Sequence, residues 1–194
     1  MISPYQTHAQ PLVVSHVARD CHVERKVVED YFSILEDLLL GFRLPLFSKK
    51  AKRELLVKDK FFFFDSGVFN ILRPKGPLDS AAELRGPALE GLVANELRAL
   101  NQYLDWGISL YHWRTRGKEE VDLVAYGENC FTALEVKTSA ALREEQLGGL
   151  RLFKQDYPQA RCVLLNAGSK EHHYDGILIA PVEKFLAGPE KYLF

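Results

Sequence analysis

Hydrophobic and polar residues alternate with a period of two in two stretches near the middle of the chain. The stretches run from Glu120 to Tyr126 and from Phe131 to Lys137, with Gly127-Glu128-Asn129 between them. Such alternation predicts β-strands, and a short polar connection that contains glycine predicts that they form a hairpin. The sequence therefore predicts two adjacent antiparallel strands at the centre of its C-terminal half.

The pattern on either side of this hairpin predicts an α/β layer. A long amphipathic helix precedes it, and helices and strands alternate after it. The predicted elements are, in order, a helix over Leu84–Tyr103, strands Ser109–Arg114, Glu120–Tyr126 and Phe131–Lys137, a helix over Leu142–Gln155, strands Cys162–Asn166 and Gly176–Ala180, and a helix from Pro181. This order predicts a central mixed sheet flanked by helices, over residues 82–194.

The first part of the chain predicts a smaller α+β domain. A short helix, Leu12–Arg19, and a longer one, Glu24–Leu40, are separated by three residues, which is the spacing of a helix-turn-helix. Two extended pieces, Phe42–Phe47 and Glu54–Phe64, follow around a basic tip. The longer helix carries an apolar stripe of Val27, Val28, Tyr31, Leu35 and Leu38/Leu39. Together they predict a winged-helix-like domain over residues 1–75, with a boundary at the Pro- and Gly-rich Leu72–Ser80.

Composition and charge narrow the functional classes. The chain has 194 residues, of which 47% are hydrophobic, so it can form one larger or two small domains. Because its net charge is −1, the composition gives no support to nucleic-acid binding by a basic protein as a whole. Any such binding would have to use local basic patches. One such patch lies between Arg43 and Lys60, a segment that contains seven Lys and Arg residues and only two acidic residues. Lys49 and Lys50 at its tip could contact phosphates, or the tip could simply be solvated.

Cysteine usage and hydrophobic run length indicate the compartment. The three cysteines are Cys21, Cys130 and Cys162, and no C-x-x-C or Cys/His cluster occurs, which favours reduced thiols over disulfides or zinc. The longest apolar runs are too short to cross a bilayer, and the start of the chain is not typical of a signal peptide. We therefore expect a cytoplasmic protein without a membrane partner.

Three charged residues of the predicted hairpin carry the candidate chemistry. Glu135 and Lys137 share a strand face because residues i and i+2 point the same way, and the hairpin can bring them to Asp122. Two acids and a lysine on one sheet face suit a divalent metal that activates water for attack on a phosphodiester. The alternative is a surface ion pair without chemistry, which is common on half-solvated strands.

Two further acids lie on the predicted helix Leu84–Tyr103. Glu90 falls at the edge of its apolar stripe and Glu96 falls inside it. A carboxylate on a core-facing stripe is costly unless it is paired or bound to a cation. Either could point into a site, or could form an ion pair with Arg98 or a partner elsewhere.

A series of motifs in order resembles known families. They are Tyr31-Phe-Ser-Ile-Leu-Glu-Asp-Leu38, Phe63-Phe-Asp-Ser-Gly-Val68, Gly86-Pro-Ala-Leu-Glu-Gly-Leu-Val-Ala-Asn-Glu-Leu97, Tyr111-His-Trp-Arg-Thr-Arg-Gly117, Glu119-Glu-Val-Asp122 and Glu135-Val-Lys-Thr-Ser139. Over about Gly86–Ala180 the chain resembles the PD-(D/E)XK restriction-endonuclease-like superfamily, with spacing similar to archaeal Holliday-junction resolvases. Val121 replaces the proline of the superfamily motif. The whole chain is similar to the C-terminal half of the DUF4143 proteins of a prokaryotic ATPase family.

The resemblance implies roles for individual residues. Glu90, Asp122 and Glu135 would hold Mg²⁺ or Mn²⁺, and Lys137 would orient or help deprotonate the attacking water and offset charge on the phosphorane. Gln146 would lie near the scissile phosphate. Arg114 and Arg116 could grip phosphate, or lie in a solvated loop.

The resemblance also implies partners and two functional classes. Members of that family normally carry an AAA-type ATPase domain upstream, and this chain has no P-loop sequence. We expect either a stand-alone remnant or a chain from which the ATPase part was cut away. One class is a metal-dependent DNA endonuclease acting on branched or flapped DNA. The other is a catalytically silent DNA- or protein-binding regulatory module associated with an AAA-type ATPase. A second copy of the chain is a further candidate partner.

Overall fold

The computed structural model describes residues 7–55, 58–72 and 81–194, and only the backbone of residues 81–84. Contacts divide the chain into two compact units, the first formed by Met1–Pro45 and Lys58–Asn95 and the second by Leu46–Val57 and Glu96–Phe194. The basic segment assigned by sequence to a wing is thus grouped with the second unit. The predicted boundary falls on residues 73–80, which lie outside the described residues, and the domain limits 1–75 and 82–194 stay a prediction.

The first unit is built on a three-stranded antiparallel sheet with the order β1-β3-β2. Its elements are β1 (Gln10–Pro11), α1 (Val14–Cys21), α2 (Arg25–Asp37), β2 (Gly41–Leu44), β3 (Lys60–Phe63), α3 (Ser66–Leu72) and the first part of α4 (Ala81–Leu104). Phenylalanines of β3 pack against α1, α2 and α3, and this packing forms the core of the unit. The sequence missed β1 and α3 because β1 has only two residues and α3 follows directly on a strand.

Helix α2 packs only part of its predicted apolar stripe against this core. Val28 and Phe32 are buried, whereas Val27, Tyr31, Leu38 and Leu39 of the predicted stripe are exposed. The predicted stripe is therefore divided, because Val28 and Leu35 pack in this core and its other members are exposed. The helix carries two apolar stripes side by side, and only one of them packs against the sheet.

The second unit contains a six-stranded mixed sheet with the order β4-β5-β6-β7-β9-β8. Its elements are the last part of α4, β4 (Ser109–Arg114), β5 (Glu120–Gly127), β6 (Cys130–Val136), a 3₁₀ turn (Glu144–Leu147), α5 (Gly148–Asp156), β7 (Arg161–Asn166), β8 (His172–Tyr174), β9 (Ile177–Pro181), α6 (Val182–Ala187) and α7 (Glu190–Leu193). Strands β6, β7 and β9 are parallel, and the remaining pairs are antiparallel. The predicted fold class, a mixed α/β sheet flanked by helices after a smaller α+β region, is confirmed.

Helix α5 covers one face of the sheet around β5, β6 and β7. Leu150 and Phe153 of the helix pack with Val124 and Ala133, which are paired across β5 and β6. Phe47, from the segment 46–57, completes this aromatic core. The hairpin between β5 and β6 turns at Glu128–Asn129, since Gly127 pairs with Cys130.

Gly149, at the start of α5, allows the helix to approach β5 closely. A Cβ added there would lie 1.8 Å from the backbone oxygen of Glu120, which is far inside van der Waals contact. The neighbouring atom is backbone and cannot rotate away. Only glycine therefore permits this distance between the helix and the strand.

Gly149→Ala is expected to destabilise the second unit by about 1–3 kcal/mol or more, because α5 must move off the sheet. Urea denaturation of the full chain measures the change. Gly86→Ala in α4 is the matched control, since a Cβ there meets nothing within 4 Å apart from its neighbours in the chain. It should change stability by less than about 1 kcal/mol, because the gain in helix propensity is opposed by the contact of the new Cβ with the ring of Pro87. Equal effects of the two substitutions would contradict this account of the packing.

No helix in the described ranges 7–55, 58–72 and 81–194 is long and apolar enough to span a bilayer.

Candidate functional site

Strands β5 and β6 separate at the edge of the sheet where β5 begins and β6 ends. Their paired register stops at Leu123 and Leu134, and one further step places Asp122 opposite Glu135. Beyond that point the Val136 N–H donates to Asp122 Oδ2 at 2.8 Å. The Asp122 carboxylate thus takes the place of a ladder carbonyl and joins the two strands where they separate.

Both carboxylates lie on the face of the sheet that α5 covers. Directly opposed residues of an antiparallel pair share a face, and the paired Val124 and Ala133 belong to the core under α5. Side chains alternate along each strand, so Asp122 and Glu135 follow on that same face. The structure therefore brings together Asp122 and Glu135, two of the predicted site residues.

The side chain of Glu135 is a buried carboxylate with incomplete hydrogen bonding. Lys137 Nζ donates to its Oε1 at 2.5 Å, whereas its buried Oε2 has no hydrogen-bond partner among the described residues. Burial, and then repulsion from the Asp122 carboxylate, raise the pKa of Glu135 well above its ordinary value. Lys137 opposes this shift without cancelling it. This carboxylate is therefore one that an additional cation or proton would stabilise.

These residues open into a cleft of about 370 Å³. Four acidic and three cationic side chains line it, together with one glutamine and one glycine. They are Lys118, Glu119, Glu120, Glu135, Lys137, Arg143, Glu145, Gln146 and Gly149. The excess of acids means that the cleft favours a cation over a bare anion.

Glu120 is a site residue that the sequence analysis missed. It lies two positions before Asp122 on β5, lines the cleft and raises the pKa of Glu135 electrostatically. Its Oε2 accepts a hydrogen bond from Arg114 at 2.7 Å. The period-two pattern that grouped Glu135 with Lys137 would equally have placed Glu120 on the face of Asp122.

Gln146 lies at the cleft in the 3₁₀ turn that precedes α5. Its Oε1 accepts from Arg143 N at 3.0 Å, and its Nε2 donates to Ser139 Oγ at 3.2 Å. The capping box formed with Arg143 fixes the start of this turn. The structure therefore places Gln146 in the lining of the cleft, which Glu135 and Lys137 also line.

Glu90 lies in the first unit, where Lys60 Nζ donates to its Oε1 at 2.8 Å. Both side chains are buried, so the ammonium group of Lys60 neutralises the carboxylate of Glu90 within the core of that unit. Glu96 is half-buried on α4. Among the side chains that the structure describes, no three His, Cys, Asp or Glu residues group closely enough to hold a metal ion together. Participation of Glu90 in a metal site stays a prediction.

The predicted phosphate-contacting residues lie outside the lining of the cleft. Arg114 is paired with Glu120, and Arg116 donates to Glu54 Oε2 at 2.8 Å on an exposed surface. Lys49 Nζ lies 4.2 Å from the centre of the Tyr126 ring, and Lys50 is exposed. The cations that line the cleft are instead Lys118, Lys137 and Arg143.

The fold and this cleft define a mixed α/β protein with a buried carboxylate–lysine cluster at a sheet edge. Residues 85–185 match the family described as a domain of unknown function, DUF4143. The chain belongs to this family, which confirms that part of the resemblance. Residues 2–79 match a second domain of unknown function, DUF8612. Comparison with curated proteins gave no match, and comparison with solved structures gave none either.

The raised pKa of Glu135 predicts how stability depends on pH. A carboxyl group whose folded-state pKa is raised stabilises the fold below its ordinary value near 4.5, and this contribution is lost as pH rises through the folded-state pKa. Glutamine cannot ionise, so the stability of Glu135→Gln does not fall in this way as pH rises. The variant should therefore be more stable than the wild type at neutral pH. The difference should shrink as pH falls towards about 4.5.

Urea denaturation of the metal-free protein across this pH range measures the difference. Glu145→Gln is the matched control, because Glu145 lines the same cleft but is exposed. It should follow the wild type at every pH. A difference in stability between Glu135→Gln and the wild type that stays constant with pH would show that the pKa of Glu135 is not raised in the folded protein.

Proposed function

We propose that the chain is a metal-dependent phosphodiesterase that cuts DNA, with the cleft around Asp122, Glu135 and Lys137 as its active site. The observation that carries the proposal is the buried Oε2 of Glu135, to which no described residue offers a hydrogen bond, in a cleft shared with Lys137. A buried carboxylate oxygen left in this state is costly to the fold, and such costs persist at functional sites.

The donor set fits Mg²⁺ or Mn²⁺. Mg²⁺ is usually held by one or two carboxylates, with waters and substrate phosphate oxygens as the other ligands. Asp122 and Glu135 supply that number of carboxylates, with Glu120 close enough to influence Glu135. A bound divalent cation would lower the pKa of a water ligand and offset the charge of the phosphate. A cluster of three protein ligands is not required for this chemistry.

The residues of the chain have separable roles in this proposal. Lys137 Nζ lies at the boundary between Glu135 and the open cleft, and is suited to orient the attacking water and to stabilise charge that develops on the phosphorane. Gln146, fixed by Arg143 and Ser139, is suited to position the scissile phosphate. Lys118 and Arg143 line the cleft and would bind neighbouring phosphates.

A catalytically silent module that binds DNA or protein is the second candidate function. The ion pair between Glu90 and Lys60 favours it, because it engages the third acid that the resemblance assigns to the metal. In this case the protein would act with an AAA-type ATPase in the cytoplasm. A winged-helix-like N-terminal region and a PD-(D/E)XK-like core belong to both candidates.

A cleavage assay separates the two candidates. Linear duplex, branched, flapped and single-stranded DNA are incubated at low salt with ample protein, in Mg²⁺, in Mn²⁺ or in EDTA. The proposal predicts cleavage of branched or flapped duplex with either cation and none in EDTA. If all substrates stay intact with Mn²⁺, the silent module becomes the better account.

Asp122→Asn is expected to abolish calorimetric binding of Mn²⁺ while the fold stays as stable or becomes slightly more so. An asparagine can still accept the hydrogen bond from Val136 N, and it removes the repulsion on Glu135. Glu145→Gln, at the exposed side of the cleft, should bind Mn²⁺ as the wild type does. Unchanged Mn²⁺ binding by Asp122→Asn would count decisively against this site.

A further inference from the structure

Helix α2 carries an exposed apolar stripe that the fold of the first unit does not use. Val28 and Phe32 face the core, and the adjacent stripe of Val27, Tyr31, Ile34 and Leu38 is exposed, with Tyr31 at 64% and Leu38 at 62%. Steps of four, three and four residues keep these side chains on one side of the helix, in the spacing of helix–helix packing. A surface helix needs one apolar stripe, and an exposed second one marks an interaction surface.

Leu39, directly after α2, adds a further exposed apolar side chain in a strained backbone conformation. The helix closes with a Schellman motif, in which Leu39 N–H donates to Glu36 O and Leu40 N–H donates to Leu35 O. Leu39 adopts the left-handed conformation, with φ of 58°, where glycine is usual. Its side chain is 78% exposed. A strained position is thus occupied by a large apolar side chain that points into solvent.

The charges of α2 identify the partner. Arg25 and Lys26 begin the helix and Glu36 and Asp37 end it, so no acid lies in the first turn and no base in the last. These charges oppose the helix macrodipole, which favours acids at the start and bases at the end. A second α2 in antiparallel orientation places the basic start of each helix beside the acidic end of the other. The first and last turns of the helix are therefore complementary to each other in such a pair.

We propose that the protein forms a two-fold symmetric dimer through antiparallel packing of α2 against α2 of a second copy. A two-fold axis between Phe32 and Ser33 places Val27 opposite Leu38 of the second copy, and Tyr31 opposite Ile34 of the second copy. Residue i then meets residue j and j meets i, as an isologous interface requires.

Three charged residues lie at the rim of this interface. Lys26, Asp30 and Asp37 are spaced by four and seven positions, so they lie on the same flank of the apolar stripe, and Lys26 is the one cation of this set. Neither Lys26 nor Asp37 has an ion-pair partner among the residues that the structure describes. In the antiparallel pair the same flanks meet, and Lys26 of each copy reaches Asp37 of the other.

Analytical ultracentrifugation of the full chain over a range of concentrations tests the dimer. Wild-type protein should show a concentration-dependent monomer–dimer equilibrium, and Tyr31→Glu should raise the dimer dissociation constant at least tenfold. Tyr103→Glu is the matched control, because Tyr103 is equally a helical tyrosine, 86% exposed, and lies outside α2. Circular dichroism should show for both variants the spectrum of the folded wild-type protein.

Charge reversal gives an independent readout of orientation. Lys26→Asp and Asp37→Lys should each raise the dissociation constant several-fold, and the double variant should return it towards the wild-type value. A wild-type protein that stays monomeric at all concentrations overturns the proposal. A dimer that is insensitive to Tyr31→Glu, or double-variant binding no better than that of the single variants, overturns it as well.

Discussion

Lys137→Ala is expected to lower the rate of metal-dependent DNA cleavage by about 10²–10³-fold, the effect of removing one preorganised group that stabilises transition-state charge. DNA binding should change little, because the lysine lies beside Glu135 and acts mainly where charge develops. Single-turnover cleavage and fluorescence anisotropy measure the two effects separately.

The matched control for Lys137→Ala is Lys118→Ala at the same cleft. Lys118 lines the cleft but is not the lysine that is bonded to Glu135, so its loss should weaken DNA binding and reduce the salt dependence. Its effect on the single-turnover rate at saturating protein should be small. Equal losses of single-turnover rate in the two variants would remove the special role of Lys137. A fully active Lys137→Ala protein would exclude that role altogether.

Lys60→Met is expected to destabilise the first unit by about 3–5 kcal/mol, the cost of breaking a buried ion pair from one side. Lys60 is 1% exposed and donates to Glu90 Oε1 at 2.8 Å, so its loss removes a cation that compensates a buried carboxylate. Chemical denaturation measures the change. Arg25→Met, at the exposed pair with Glu29, should cost about 0–1 kcal/mol.

The double variant Lys60→Met/Glu90→Leu separates stability from function. Replacing both partners with apolar residues should recover most of the stability, because no charge is left in the core. If Glu90 is purely structural, this variant keeps Mn²⁺ binding, whereas loss of binding in a folded double variant would establish Glu90 as a ligand. A Lys60→Met variant that is as stable as the wild type would contradict the assignment of a buried ion pair.

The sequence predicted five of the six strands of the second unit, because their hydrophobic pattern is local, and missed β8, whose three residues are all exposed. Strand β4 has the predicted limits, and β5, β6 and β7 differ from prediction by a residue or two. The helix predicted over Leu142–Gln155 instead begins with a 3₁₀ turn at Glu144 and continues as α5 from Gly148. Its periodicity is helical, but the close approach of Gly149 to β5 depends on tertiary contacts that no local pattern contains.

Tertiary pairing also limited what could be predicted about charges. The i, i+2 rule correctly placed Lys137 beside Glu135, because both lie on one strand. The partner of Glu90 lies thirty positions away, and the partner of Arg116 lies sixty-two positions away. A periodicity argument cannot reveal such pairs. The division of the α2 stripe has a related cause, since the pattern alone does not tell which of its apolar side chains pack against the sheet.

The most direct test of the central claim is the location of Mn²⁺ in crystals soaked with the ion, by anomalous scattering. We expect an anomalous peak between the carboxylates of Asp122 and Glu135, with Glu135 Oε2 as a ligand, and no peak there in crystals of Asp122→Asn. Wild-type crystals that show no peak at these carboxylates, or a peak that persists in Asp122→Asn, would contradict this claim.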